Sequence, residues 1–304
     1  MSYNIINSIS YVFTMSFIIF MIKIFIHFYN QSNIYFNLII IPLFAPLSLI
    51  YDIHYNKNVK LDYHIYKYFT IPAIINVIEE LILNIVLLSI PMGLYIIGRT
   101  SSSIFNILYY KIVNKKKITT LNKIAIIILL ISYVFMMIDL ITIMDYKQIG
   151  NLIIVLLSGI TTTAYNVLAE NQLKVIENMK NNYMVRSNTI FQLTSFVFLI
   201  PICGSLVEIT LSGFSYDFFI ICVVSALSAQ IASMNKYYLL DNVKQSSLLI
   251  AGLDLGRRVL LFVLAATLLN ETYSVYDTIG YVLVLIASVM MVYNNYKHNK
   301  VYIV

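Results

Sequence analysis

The stretch Gly252-Leu253-Asp254-Leu255-Gly256-Arg257-Arg258-Val259 places one acid and two bases inside an apolar run. Leu248-Leu249-Ile250-Ala251 precede it and Leu260-Leu261-Phe262-Val263-Leu264-Ala265-Ala266 follow it, so the run extends over about 245–269. A segment of that length and character is read as a membrane span, which needs roughly 20 apolar residues. A charge at bilayer depth costs on the order of 3 kcal/mol by insertion scales, and it persists only when it is paired or faces a watery interior. The fold and the candidate site therefore both start from these eight residues. A second stretch echoes them: Leu94-Tyr95-Ile96-Ile97-Gly98-Arg99-Thr100-Ser101-Ser102-Ser103 also carries a Gly-Arg step in the middle of a hydrophobic run.

Working outward, the composition has the same character from end to end. Of 304 residues, 60% are hydrophobic and only 11% charged, with a mean hydropathy of +0.83. A soluble domain carries about 25% charge, so this chain cannot solvate its own surface and a soluble enzyme is excluded. Hydrophobic runs fall at about 4–28, 34–51, 69–90, 92–113, 121–143, 150–169, 187–209, 216–238, 245–269 and 277–296. They predict an all-α polytopic membrane protein of ten transmembrane helices. The first run has no preceding basic residue and no small-residue cleavage site, so it is expected to stay as a helix. Trp is absent and Gly numbers only 9, a bias that makes the 25 tyrosines weak evidence for an aromatic site.

Fifteen of the twenty Lys and Arg lie between or beyond the runs or within three residues of a run's end (Lys111, Lys123 and Lys236), at 57–67, 111–123, 174–186, 236–244 and 297–300. The alternate loops hold only Lys147, and the remaining four (Lys23, Arg99, Arg257, Arg258) lie deeper within runs. By the positive-inside rule this alternation predicts cytosolic termini on a multi-pass protein. It also explains the net charge of +6 without invoking nucleic acid. The sequons Asn30-Gln31-Ser32 and Asn270-Glu271-Thr272 both fall on the opposite face. Cys203 and Cys222 sit in apolar runs and are expected as free thiols. His27, His54, His64 and His298 are scattered, so neither a metal site nor a cofactor is expected.

The two Gly-Arg steps stand 158 residues apart, and each is followed by a short polar loop and a similar apolar run. Those later runs, Ile124 to Met137 and Ile279 to Met291, bring paired methionines 154 apart. Five helices per half is an odd number, so the second half enters from the opposite side. The halves 1–145 and 146–304 are therefore read as inverted five-helix repeats, the construction of many secondary transporters. Gly98 with Ser102, and Gly252 with Gly256, are small residues four apart and predict a close approach of the fourth and ninth helices.

Of the other charges within runs, Glu79 and Glu80 are the most informative. Asn76, Glu80 and Asn84 share one face of the third helix, with Glu79 about 100° away. That polar stripe predicts a lining of the bundle interior that binds a cationic group or carries a proton. An ion pair between Glu80 and Arg99 is the structural alternative. Asp254 lies three and four residues before Arg257 and Arg258; one arginine is expected to pair with it, leaving the other to face the cavity, where it can hold a phosphate or carboxylate. The alternative is that both arginines are structural or snorkel. Tyr165, Asn166, Asn188 and Gln192 complete the expected lining, and each is also explained by ordinary interhelical hydrogen bonding. Lys23 lies near the end of the first helix, where snorkelling accounts for it, and Asp139, also close to a helix end, is assigned no role.

This combination resembles the drug/metabolite transporter superfamily, and within it the solute carrier 35 group that includes the nucleotide-sugar transporters, particularly the F-type branch. The likeness is carried by Ile71-Pro72-Ala73 through Asn84, Leu87-Leu88 and Ile97-Gly98-Arg99 in the first half, with the basic Asn114-Lys115-Lys116-Lys117 after them. In the second half, Leu253-Asp254-Leu255-Gly256-Arg257-Arg258-Val259 is similar to the branch's Leu-Asp-x-x-Arg-x-Val motif. Ile279-Gly280-Tyr281 through Tyr293-Asn294 is similar to its last helix. The fourth helix carries Arg99-Thr100-Ser101 where the branch has Arg-Gly, and no lysine matches the one that many nucleotide-sugar carriers place there. Chloroquine-resistance-type transporters are a more distant likeness.

The resemblance implies a secondary transporter of a small polar organic solute, a nucleotide sugar or another metabolite, in an endomembrane such as the Golgi, the ER or a lysosome-like compartment. A proton-coupled exporter of drugs, amino acids or peptides is the alternative within the superfamily. An intramembrane enzyme would need a reacting constellation, and none of the hydrolase or metalloprotease motifs is present. No filter sequence supports a channel. The expected partners are the small-molecule substrate and the lipid bilayer, with a homodimer as an allowed assembly.

Overall fold

A backbone in hydrocarbon has no water to satisfy its N–H and C=O groups, so an open chain can cross only as helix. The computed structural model of the chain follows that rule: no strand occurs among the described residues. These are residues 2–29, 46–50, 53–54, 70–76, 78–79, 92–112, 118–138, 146–176, 216–243, 246–268 and 272–300, with isolated positions at 82, 86, 90, 115, 193 and 197. The helices with bounds are α1 (Ser2–Tyr29), α2 (Met92–Ile112), α3 (Thr120–Ile138), α4 (Tyr146–Ile176), α5 (Tyr216–Asn242), α6 (Ser246–Leu268) and α7 (Val275–Lys300). They meet the first, fourth, fifth, sixth, eighth, ninth and tenth hydrophobic runs; the other three runs fall largely outside the described residues.

Four of these helices contain segments long and apolar enough to cross a membrane: Asn4–Met21 in α1, Thr120–Ile138 in α3, Ile149–Asn171 in α4 and Val275–Lys297 in α7. Their outer faces agree with that reading. On α7 the exposed side chains Ile279, Val282, Ile286, Val289 and Tyr293 recur at helical spacing, and on α3 Ile124, Ile127, Ile131, Val134 and Ile138 do the same. The buried face of α3 consists of Asn122, Ala125, Leu129, Ser132 and Met136. A helix that turns its isoleucines outward and keeps its Asn and Ser inward is built for lipid. The chain is a membrane protein.

The chain groups into two compact units, each drawing on both halves of the sequence. One comprises residues 1–88 and 164–241, the other 89–163 and 242–304, so α4 passes from one to the other after Thr163. In the first unit, α1 meets α5 where Asn235 Nδ2 donates to Ser10 Oγ at 2.8 Å. Ser48 donates to Gln230 Oε1 of α5 at 2.5 Å. The Lys236 ammonium lies 4.0 Å from the ring centre of the buried Tyr165 on α4. Lys236, counted above with a cytosolic loop, is thus inside α5.

The second unit holds α2, α3, α6, α7 and the first part of α4. Here α7 packs along α3, and α6 packs against both α7 and α2. The α3–α7 pair is antiparallel: Asn294 Nδ2 donates to Asn122 Oδ1 at 3.1 Å near the start of α3, while Gly280 lies against Met136 near its end. A Cβ at Gly280 would also stand 3.2 Å from the Ser132 carbonyl oxygen, so only glycine permits this approach. Helix α7 starts where it does because Ser274 and Asp277 cap each other. Asp277 N–H donates to Ser274 Oγ at 3.0 Å and Ser274 N–H to Asp277 Oδ2 at 3.2 Å. The rings of Phe262 and Tyr281 stack with centroids 3.8 Å apart and fasten α6 to α7.

Candidate functional site

The second unit gathers Arg99, Asp254, Arg257 and Arg258 into its buried interior. On α2, the residues Arg99, Ser102, Ser103, Asn106 and Tyr110 follow one another at helical spacing and make a polar stripe on an otherwise apolar helix. All five are buried. Helix α6 answers with Ser247, Ala251, Asp254 and Arg258, again at helical spacing. Three hydrogen bonds join the stripes: Tyr110 and Ser247 hydroxyls at 2.8 Å, Ser103 Oγ donating to the Ala251 carbonyl at 3.0 Å, and Arg258 Nη2 donating to Ser102 Oγ at 3.0 Å. Partners on α6 run backwards as those on α2 run forwards, so this pair is antiparallel too.

Each basic group has its own setting. Arg99 Nη1 donates to Thr162 Oγ1 at 2.9 Å and to Ser158 Oγ at 3.4 Å, both on α4. Arg257 Nη2 stands 3.3 Å from Asp254 Oδ1, one turn earlier on the same helix. Arg258 is 2% exposed and donates from Nη2 to Ser102, whose own hydroxyl donates to the Arg99 carbonyl at 3.0 Å. Its Nε and Nη1 are buried with no hydrogen-bond partner among the described residues. Among the described residues, three guanidinium groups (Arg99, Arg257 and Arg258) and one carboxylate (Asp254) gather here. A fork of guanidinium N–H groups matches the oxygens of a phosphate or carboxylate.

Asp254 pairs with Arg257, whose Nε has no hydrogen-bond partner among the described residues, while Arg258 leaves two nitrogens, Nε and Nη1, in that state. Glu79, which is 3% exposed, belongs to the first unit with Asn76, which is half-buried. Glu80, Asn84, Asn188 and Gln192 lie outside the described residues. The small residues are close-contact positions with their own partners. A Cβ on Gly98 would come within 2.6 Å of Val155 on α4, and Cβ atoms on Gly252 and Gly256 would meet Met291, Val292 and Ser288 of α7 at about 3.1 Å. Ser102 is the member of that set that faces α6, through Arg258.

Several participants carry no signal in the sequence. Ser158 and Thr162 hold Arg99, and Tyr133 of α3 accepts a hydrogen bond from Thr100. Uncharged polar residues are ordinary in transmembrane helices, so nothing singled these out. Asn106 is fully buried, and neither Oδ1 nor Nδ2 has a partner among the described residues. Glu170, 2% exposed, lies one residue beyond the apolar run that ends at 169, whereas α4 continues to Ile176. Among the described residues no three His, Cys, Asp or Glu come together as a metal site.

No family model and no curated protein matches the chain. Solved structures do: 28 chains are similar in fold. One of them, described as a crystal structure of a protein, covers 96% of this chain and 99% of its own length, with a TM-score of 0.67 at 9% identity. At that identity the likeness is one of fold alone. It carries no substrate with it.

Proposed function

We propose that the chain is a secondary transporter of the drug/metabolite type that moves a small polar organic solute bearing a negative charge by alternating access. The observation that carries this reading is Arg258. Its guanidinium is buried within a helical unit, fixed at one nitrogen by Ser102, with Nε and Nη1 left as donors. Burying a charge with open donors is costly, and an oxyanion placed there would offset that cost.

The inverted repeat is part of the proposal. If a two-fold in the membrane plane relates the halves, repeat mates lying side by side must be antiparallel. The pairs α2 with α6 and α3 with α7 are both mates by sequence, and both are antiparallel. We further propose ten crossings, cytosolic termini and an endomembrane location, resting on the alternation of Lys and Arg between the runs. A proton-coupled exporter is favoured by a different observation, the buried carboxylates Glu79 and Glu170.

Counterflow in proteoliposomes tests the proposal with a panel of nucleotide sugars, phosphorylated metabolites, amino acids and cationic drugs. Uptake of an anionic member is expected, and Arg258→Gln should reduce it about 100-fold, the scale of two lost charge-assisted bonds. Arg258→Lys keeps the charge, loses the fork and should fall between. Undiminished anion uptake by Arg258→Gln would falsify the site assignment. Selective uptake of a cation driven by a proton gradient would instead establish the exporter.

A further inference from the structure

We infer that Asn106 is a specificity-determining residue that hydrogen-bonds an uncharged polar group of the solute, one helical turn from the oxyanion held by Arg258. This rests on the anion-transport reading above and adds to it the shape of the second half of the ligand. Asn106 lies four residues beyond Ser102 on the same face of α2, about 6 Å along the axis. Ser102 is the residue that fixes the Arg258 guanidinium. The level of Asn106 is bracketed by two cross-helix bonds, Ser103 to the Ala251 carbonyl and Tyr110 to Ser247. At that level α6 contributes Ala251, which has no polar side-chain atom, and Ser247, whose hydroxyl is engaged by Tyr110.

The result is a buried amide whose donor and acceptor are both without a partner among the described residues, in a seam where its neighbours on either side are bonded. A buried amide left so is unfavourable unless something else completes it. Arg258 Nε and Nη1 are incomplete in the same unit. One ligand with an oxyanion at one end and a hydroxyl or amide about one helical turn away satisfies both groups. Asparagine suits the second role because it offers a donor and an acceptor together. The asymmetry also gives discrimination: a site built to bond a hydroxyl rejects the analogue that lacks it, since its own polar atoms then stay unpaired.

The test compares ligands that differ only in that group. The purified full-length protein in detergent is titrated with inorganic phosphate, propyl phosphate and glycerol phosphate, and the thermal shift gives an apparent affinity for each. Wild-type protein is expected to bind glycerol phosphate at least about tenfold more tightly than propyl phosphate. Asn106→Leu should abolish that preference while leaving the inorganic phosphate response intact, and Asn106→Gln should retain part of it. The ligand-free Asn106→Leu protein should melt no lower than wild type, because an orphaned amide has been replaced by an apolar group of similar size. A purely structural role for Asn106 predicts the opposite, a lower melting temperature with the preference unchanged, and that result overturns the inference alone. Equal wild-type affinity for propyl and glycerol phosphate also overturns it and leaves the anion reading standing. No wild-type response to any of the three phosphates sinks the anion reading and this inference with it.

Discussion

At the scale of the residue, the informative contrast is between Arg257 and Arg258, adjacent in sequence and about 100° apart on the helix. Arg257 is paired with Asp254 at 3.3 Å, whereas Arg258 is tied to a serine. The buried pair yields a double-mutant prediction. Asp254→Asn leaves a guanidinium buried beside an amide and should cost about 3 kcal/mol, lowering the melting temperature clearly. Arg257→Gln combined with Asp254→Asn removes both charges and should recover much of that loss. A double variant that melts below both singles would show that the two groups do not act as a pair.

The same contrast shows how far the site was legible. Arg99, Asp254, Arg257 and Arg258 could be read directly, because an ionisable group in an apolar run always requires a reason. Asn106, Ser158, Thr162 and Tyr133 could not be found that way. Their types are commonplace in such helices, and only the three-dimensional neighbourhood shows which of them has partners and which lacks them.

At the scale of the element, small residues set how closely helices approach, but their spacing does not say which helix approaches. Gly98 and Ser102 on α2, with Gly252 and Gly256 on α6, suggested one seam between those two helices. The geometry distributes them: Gly98 admits α4, the two α6 glycines admit α7, and the α2–α6 seam is closed instead by serines, a tyrosine and Arg258. Gly159, which no sequence pattern highlighted, sits at the α2–α4 crossing, where a Cβ would come within 2.7 Å of the Ser102 backbone nitrogen. Backbone cannot swing aside as a side chain can. Gly159→Ala should therefore destabilise by about 2 kcal/mol and pull on the helix that carries Arg99. Gly150, on the same helix, has no atom within 4 Å of such a Cβ. Gly150→Ala should be neutral or stabilising by up to about 1 kcal/mol from helix propensity. Melting curves of the two variants in detergent separate a packing glycine from an incidental one; equal losses at both positions would contradict the close approach.

At the scale of the whole molecule, charge placement is what the sequence states most openly, because the translocation of each loop is read from its Lys and Arg content alone. Fifteen basic residues against one alternate from loop to loop when Lys111, Lys123 and Lys236, each within three residues of a run's end, are counted with the adjoining loops. Topology does not follow from helix packing, since an antiparallel pair looks the same from either side of a bilayer. It has to be measured. Single cysteines placed at Asn4, Lys115 and Lys297, in a background with Cys203 and Cys222 replaced by serine, should react with a membrane-impermeant maleimide only when the cytosolic face is open to it. A cysteine at Lys147, the one basic residue between runs on the other side, should show the reverse pattern. The four positions test both the parity of the crossings and their direction. If Asn4 and Lys297 label from opposite sides, the number of crossings is odd, and two inverted halves of five helices cannot be built from this chain.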